Sequence, residues 1–225
     1  MRPVTVACVL RRSADYDVDY VARLRDGVAA HLPAAHRFVC LSDVPVPCER
    51  FPLVHDWPGW WAKMELFRPD VGGDLLYFDL DTVITGDLAG LAGVGRLTML
   101  SDFYWPERVA SGVMYLPQAD RAWVWRHWIA DPAGHMERAG RFDDRRAIGD
   151  GKILGRLLGD RPTRFQDLLP GQIVSYKVDV RQATGRRFER GRGVLPAGAR
   201  VVCFHGQPRP RDIGWQLPMC QRVPA

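Results

Sequence analysis

Apolar positions in this chain fall into short runs whose spacing alternates between that of strands and that of helices. Val4 to Leu10 is a nearly continuous apolar run of strand length. Ser13, Asp15 and Asp17 then offer capping oxygens to a helix that carries Val21, Leu24, Val28 and Leu32 at helical spacing. Phe38-Val39-Cys40-Leu41 reads as a second strand and Leu53-Val54 as a short third. A helix over Trp60 to Phe67, closed by Pro69 and the Gly72-Gly73 turn, leads into the run Leu75-Leu76-Tyr77-Phe78, a strand ending in Asp79-Leu80-Asp81. Thr98-Met99-Leu100 and Val113-Met114-Tyr115-Leu116 read as further strands. Gln118 to Ile129 reads as a helix with Ala122, Trp125 and Ile129 on one side, its tryptophans serving as packing residues. Beyond Asp131 the chain turns irregular and rich in Arg and Gly. The exceptions are a helical pattern over Ile148 to Leu158 and short strands near Ile173-Val174 and from Val201 to His205.

Alternating strands and helices in the first third predict an α/β fold, a mostly parallel sheet flanked by helices, with ligands gathering at the carboxyl ends of the strands. The 225 residues show no linker-like stretch, repeat or low-complexity segment, so one domain over 1–225 is expected. A hydrophobic content of 47% against 25% charged residues excludes wholesale disorder. The first apolar run is too short to span a membrane and lacks a cleavage signal, and reads as a core strand. Five cysteines without C-x-x-C spacing argue against a disulfide framework or a zinc site, and a cytoplasmic location, free in solution or at the inner face of the membrane, is the expectation. The net charge of +5 is concentrated late in the chain, where Arg181 to Arg211 holds eight arginines and the acid Glu189. That excess suits an anionic partner, whether nucleotide phosphates, an anionic glycan or peripheral contact with a membrane surface. No nucleic-acid motif accompanies it.

Asp79-Leu80-Asp81 carries the most chemistry. Two carboxylates one residue apart, delivered by a buried strand to the edge of a sheet, suit a hard divalent cation that holds an anionic phosphate. Lys63, one of three lysines in the chain, lies sixteen residues before Asp79, and His205-Gly206-Gln207-Pro208-Arg209-Pro210 follows near the C-terminus.

Together with Ser111-Gly112-Val113-Met114 and Phe204-His205, these segments resemble nucleotide-sugar glycosyltransferases of the GT-A fold, and look closest to the glycogenin-like and galactosyltransferase-like enzymes of family 8. The resemblance runs from about Val4 to Pro210 and implies a nucleotide-binding half over about 1–101 and an acceptor and sugar half over about 102–225. It implies Mn²⁺ or Mg²⁺ on Asp79 and Asp81, and a nucleotide diphosphate sugar, a UDP-sugar, as donor. The acceptor would be a glycan, a lipid-linked or a small-molecule hydroxyl, and the configuration would be retained.

The family pattern H-F-x-G-x-x-K-P puts its metal histidine where this chain has Cys203, so His205, two residues on and on the same side of an extended strand, is the candidate third ligand. Arg209 replaces the family lysine as the cation for the β-phosphate, and Gly206 occupies the family glycine. Lys63 falls near the donor phosphate or sugar. Ser111 and Gly112 match part of N-S-G-V, with Ala110 in the asparagine place. Asp102 and Asp150 fall near positions that contact the sugar or the reacting centre, and Asp150 would be the base if the reaction inverted. Val9, Leu10, Arg11 and Tyr16 are candidates for the base, Tyr16 by stacking on a uracil, and Leu80 for a further donor contact. Two other readings stay open. One is a phosphatase of the haloacid-dehalogenase type with Asp79 as nucleophile; the other is a nucleotide-sugar-binding domain without turnover.

Overall fold

The computed structural model describes residues 4–141 and 149–218. The chain begins with β1 (Val4–Leu10), α1 (Val18–His31), β2 (His36–Ser42), β3 (Glu49–Pro52) and a 3₁₀ helix (Gly59–Phe67). β4 (Leu75–Phe78), β5 (Thr82–Ile84), the one-turn α2 (Ala89–Ala92), β6 (Thr98–Ser101) and β7 (Val109–Leu116) follow. Then come α3 (Gln118–Ala130), α4 (Pro132–Arg141), α5 (Asp150–Leu158), β8 (Thr163–Arg164) and the one-turn α6 (Phe165–Leu168). β9 (Ile173–Ser175), a π-helical turn (Tyr176–Val180), β10 (Val201–Cys203) and a short 3₁₀ helix (Pro210–Ile213) complete it.

Seven strands form one sheet in the order β3-β2-β1-β4-β7-β6-β8. β1 pairs in parallel with β2 and β4, β2 with β3, and β6 with β8, while β7 runs antiparallel between β4 and β6. The expected α/β class and mostly parallel sheet are therefore what the chain forms. Strands apolar on both sides, such as β4, with all four residues buried, need cover on both faces. Tyr20, Val21, Leu24 and Val28 of α1 cover one face; Trp61, Met64 and Phe67 with Val124 and Trp128 of α3 cover the other. β5, β10 and β9 make a second, small sheet, β10 antiparallel to β5 and parallel to β9. Asp79-Leu80-Asp81 is the link between β4 of the large sheet and β5 of the small one.

Several elements differ from the sequence expectation. The third strand is Glu49–Pro52, because the Val54 and His55 amides turn away to the buried Glu65 carboxylate. Trp60 to Phe67 winds as a 3₁₀ helix, with Trp61 through Phe67 all buried. α3 buries Arg121, Val124 and Trp128, whereas Ile129 is 39% exposed. The stretch after Asp131 is helical, with Asp131 Oδ1 accepting from the Gly134 amide at 2.9 Å and Pro132 at the first position. β10 stops at Cys203, short of His205. Ile148 and Cys220 lie outside the described residues. No helix among the described residues is long and apolar enough to cross a membrane. The arginine-rich stretch is not one open cationic face: Arg181, Arg190, Arg209 and Arg211 pair with Glu189, Asp179, Asp81 and Asp17.

Arg121 explains how a charged residue comes to face the core. Its guanidinium donates to the Leu66 carbonyl at 2.9 Å and to the Gly73 carbonyl, pinning the loop that feeds β4. Burial pushes its pKa down to about 10. We expect Arg121→Met, which keeps volume but strands both carbonyls, to lower stability by roughly 3 kcal/mol in urea unfolding. A loss under about 0.5 kcal/mol would show that the loop is held by packing alone.

Candidate active site

The ammonium of Lys63 is the hub of a buried polar cluster. Lys63, 7% exposed, lies 2.8 Å from Asp79 Oδ1, 3.0 Å from Asp150 Oδ2 and 3.3 Å from Ser111 Oγ. Ser111 Oγ in turn donates to Asp150 Oδ2 at 2.6 Å, and Tyr77 donates to Asp79 Oδ1. Burial alone would discharge Lys63, but Asp150 and Asp79 reverse that effect and raise its pKa above the ordinary lysine value. Four elements meet here: the 3₁₀ helix, the end of β4, β7 and the first residue of α5. Gly149, before Asp150, has φ of +114°, and a Cβ there would stand 3.2 Å from Trp60 Nε1, so the approach of α5 needs glycine.

The backbone of the tripeptide is fixed from both sheets. The Asp79 amide donates to the Gly112 carbonyl at 2.8 Å, and the Phe204 amide donates to the Asp81 carbonyl at 3.0 Å. Asp81 Oδ2 accepts from Tyr16 Oη at 2.8 Å and from Arg209. Burial, and after it the charge of Asp79, pushes the Asp81 carboxyl up to about 6, although Tyr16, Arg209 and Lys63 pull it down. Burial likewise raises Asp79 against the pull of Lys63. Among the described residues, Asp79 Oδ2 and Asp81 Oδ1 have no hydrogen-bond partner. Two hard oxygens short of positive charge fit a magnesium or manganese ion that draws its other ligands from phosphate and water.

A third protein ligand does not join them: no group of three or more His, Cys, Asp or Glu among the described residues is placed to hold an ion. His205 lies beyond the end of β10, so strand alternation does not carry it to the face of Cys203. Its Nε2 is 2.6 Å from Ser175 Oγ, and its ring stacks on Phe103 at 5.4 Å. Burial, with Lys177 and Arg181 behind it, pushes the imidazole down to about 3. Cys203 is the nearer in electrostatic terms. Burial raises its thiol first, and the charges of Asp81 and Asp79 raise it further, which keeps it a thiol and a poor partner for a hard cation.

Asp79, Asp81, Ser111, Gly112, Asp150, Asp102, Cys203 and His205 border one cleft of about 690 Å³ at the carboxyl edge of β4. Asp102 Oδ1 also accepts from the Tyr104 and Trp105 amides, capping the loop after β6. A Cβ at Gly112 would stand 3.4 Å from Asp79 Oδ2. Other candidates lie elsewhere. Leu10 and Leu80 are buried in the core, so their side chains are not open to a nucleotide, and Val9 is half-buried against the opposite cluster. The Tyr16 ring is covered on one side by the Arg209 guanidinium at 4.7 Å, which occupies a face that uracil stacking would need. Arg11 pairs with Asp56.

Tyr77 and Lys177 were not singled out from sequence. Tyr77, on β4 two residues before Asp79, donates its hydroxyl to Asp79 Oδ1, a contact that its closeness in sequence to the acidic pair could have suggested. Lys177 donates to the His205 carbonyl, a contact made through the pairing of β9 with β10.

The two displaced pKa values bend stability in opposite directions. Asp81, at about 6 when folded, holds its proton longer than in the unfolded chain, so its contribution falls as pH rises from about 4 to 6. His205, at about 3 when folded, is neutral where the unfolded chain is charged, so its contribution grows as pH rises from about 3 to 6.5. In urea unfolding at half-unit pH steps, Asp81→Asn should therefore gain stability more steeply over pH 4–6 than the parent, and His205→Asn less steeply. Parallel profiles would contradict both assignments.

No protein-family model matches the chain, and no curated protein matches it in sequence. Solved structures do match in three dimensions. The apo glycosyltransferase GlyE of Streptococcus pneumoniae TIGR4 superposes with a TM-score of 0.62 at 15% identity, over 98% of this chain. This chain spans 58% of the GlyE chain. An active-site mutant of LgtC matches with a TM-score of 0.59 at 17% identity, over 92% of this chain and 89% of that one. The bifunctional glycosyltransferase WbbM gives 0.60 at 13% identity, over 92% of this chain and 46% of its own. The strand order, the acidic link between two sheets and these superpositions agree: the chain adopts the GT-A-like fold of glycosyltransferases.

Proposed function

We propose that this chain is a metal-dependent glycosyltransferase that moves a sugar from a nucleotide diphosphate sugar, a UDP-sugar, to an acceptor hydroxyl with retention of configuration. The observation that carries this reading is the Lys63, Asp79, Asp150 and Ser111 cluster, open with Asp81 to a cleft at the carboxyl edge of β4. The fold shared with GlyE, LgtC and WbbM adds support, and one LgtC structure is a galactosyltransferase in complex with donor and acceptor sugar analogues.

Asp79 and Asp81 would hold Mn²⁺ or Mg²⁺ through the oxygens left free. When bound, the ion supplies positive charge to the diphosphate and eases departure of the nucleoside diphosphate. Lys63 keeps Asp79 and Asp150 close together and fixes their orientation in a dry site. Arg209, now on Asp81, has the two-pronged geometry to turn to a phosphate. Asp150 Oδ2 already accepts from Lys63 and Ser111, so it is better placed to orient than to take a proton from an acceptor. That favours leaving-group stabilisation, and with it retention, over inversion by a carboxylate base. A phosphatase reading is weaker for a parallel reason: Asp79 Oδ1, one of the two oxygens a nucleophile would offer, is taken by Lys63 and Tyr77.

The test is release of UDP from a panel of UDP-sugars, with and without Mn²⁺. Asp79→Asn and Asp81→Asn should each cut kcat/KM by about 10² or more while circular dichroism stays that of the parent. Undiminished turnover in either variant or in excess EDTA would overturn the metal role. Phosphate release from p-nitrophenyl phosphate without UDP release would favour the phosphatase.

A further inference from the structure

The cleft of the candidate active site extends beyond the groups that the proposed transfer uses. Asp79, Asp81 and Asp150 border it at the acidic cluster, and its border also carries Arg108, Lys152, Arg156 and Arg164 against Glu107 and Asp160. Tyr77, Met114, Met99 and Arg164 are successive partners in one row across β4, β7, β6 and β8. Three strand spacings, about 14 Å, therefore separate the backbone of Arg164 from the strand that delivers Asp79. The nine-residue helix α5, about 13 Å long, spans the same interval, from Asp150 in the Lys63 cluster to Gly159 and Asp160 just before β8. A group held at Arg164 is thus distinct from a diphosphate at Asp79 and Asp81.

Of the four cations on this border, Arg164 stands apart. Arg108 pairs with Glu107 at 3.7 Å and lies over the Trp105 ring, and Lys152 and Arg156 are engaged by other groups. Arg164 is half-buried on β8, the edge strand of the large sheet, and its Nη1 is enclosed without a hydrogen-bond partner. Among the described residues no carboxylate pairs with it, the exposed Asp160 included. A guanidinium keeps its charge, and an enclosed donor with nothing to donate to is costly. Its planar fork matches the paired oxygens of a carboxylate or a phosphate, so a ligand bearing one of these meets what the protein leaves unmet.

We propose that Arg164 anchors a carboxylate or phosphate carried by the acceptor, which makes the acceptor an anionic sugar rather than a neutral one. The anchor deepens the glycosyltransferase reading, on which it rests for there being an acceptor in this cleft. With its anion at Arg164, the acceptor lies along α5 and presents a hydroxyl toward the cluster of Lys63, Asp79 and Asp150.

Ligand-observed NMR tests the anchor with methyl glucoside, galactoside and mannoside, each beside its uronic acid and its phosphate ester at the primary hydroxyl. At least one anionic sugar should bind the parent about tenfold more tightly than its neutral counterpart, and which one does so names the anion. Arg164→Met keeps the apolar stem and should erase that preference, with Arg164→Gln as a second neutral variant. Arg164→Lys, which keeps the charge without the fork, should restore part of it, as a packing role for the stem would not. UDP affinity in Mn²⁺ is measured on the same variants. Three results would overturn the anchor: equal binding of neutral and anionic sugars by the parent, a preference that survives in Arg164→Met and Arg164→Gln, or a loss of UDP affinity as large as the loss for the anionic sugar. The two readings fail separately. A preference that depends on Arg164, without turnover of any sugar nucleotide, keeps the anchor and removes the transferase. Turnover onto neutral acceptors, with no preference for an anion, keeps the transferase and removes the anchor.

Discussion

An ammonium sealed between Asp79 and Asp150 is the contact on which the rest of the site depends. Lys63 brings the two carboxylates together, and at 7% exposure it keeps its charge because Asp150 and Asp79 outweigh the effect of burial. The three groups come from the middle of a 3₁₀ helix, the end of β4 and the start of α5, so the cluster fixes the register of the first and the boundaries of the other two. Ser111, from β7, closes the cluster because β7 is the direct neighbour of β4 in the sheet. The order of the central strands and the polar cluster thus constrain one another.

From that hub, charges of opposite sign alternate: Lys63 pairs with Asp79, and Arg209 pairs with Asp81. The link Asp79-Leu80-Asp81 joins the two sheets, donating a backbone hydrogen bond to Gly112 of β7 and accepting one from Phe204, just past β10. The arginine excess of the last third then has a local meaning. Half of its eight arginines, Arg181, Arg190, Arg209 and Arg211, pair with named acids.

Much of this was legible in the chain, for identifiable reasons. The run Leu75 to Phe78 announces a strand buried on both faces, and Asp17 before Val18 announces the start of α1, whose side chain accepts from the Asp19 amide. Lys63 and Asp79 were paired through a motif resemblance, and the 2.8 Å contact gives that pairing a physical basis. What stayed hidden depends on long-range pairing. Nothing near Lys177 reveals that β9 lies beside β10 and brings its ammonium to the His205 carbonyl. The place of His205 was misread because strand alternation was continued past Cys203, where the chain has already left the sheet. The inward turn of Arg121 was equally out of sight, since the Leu66 and Gly73 carbonyls that receive it come from the 3₁₀ helix and the loop after it, about fifty residues earlier.

The central claim is that Asp79 and Asp81 hold a cation whose remaining ligands come from the diphosphate of the donor. Electron paramagnetic resonance of Mn²⁺, titrated with protein in the absence and presence of UDP, measures this directly. If the claim is right, UDP tightens Mn²⁺ binding, Mn²⁺ tightens UDP binding by the same factor, and Asp81→Asn removes the coupling. Mn²⁺ binding that is indifferent to UDP, or coupling that survives in Asp81→Asn, would contradict it.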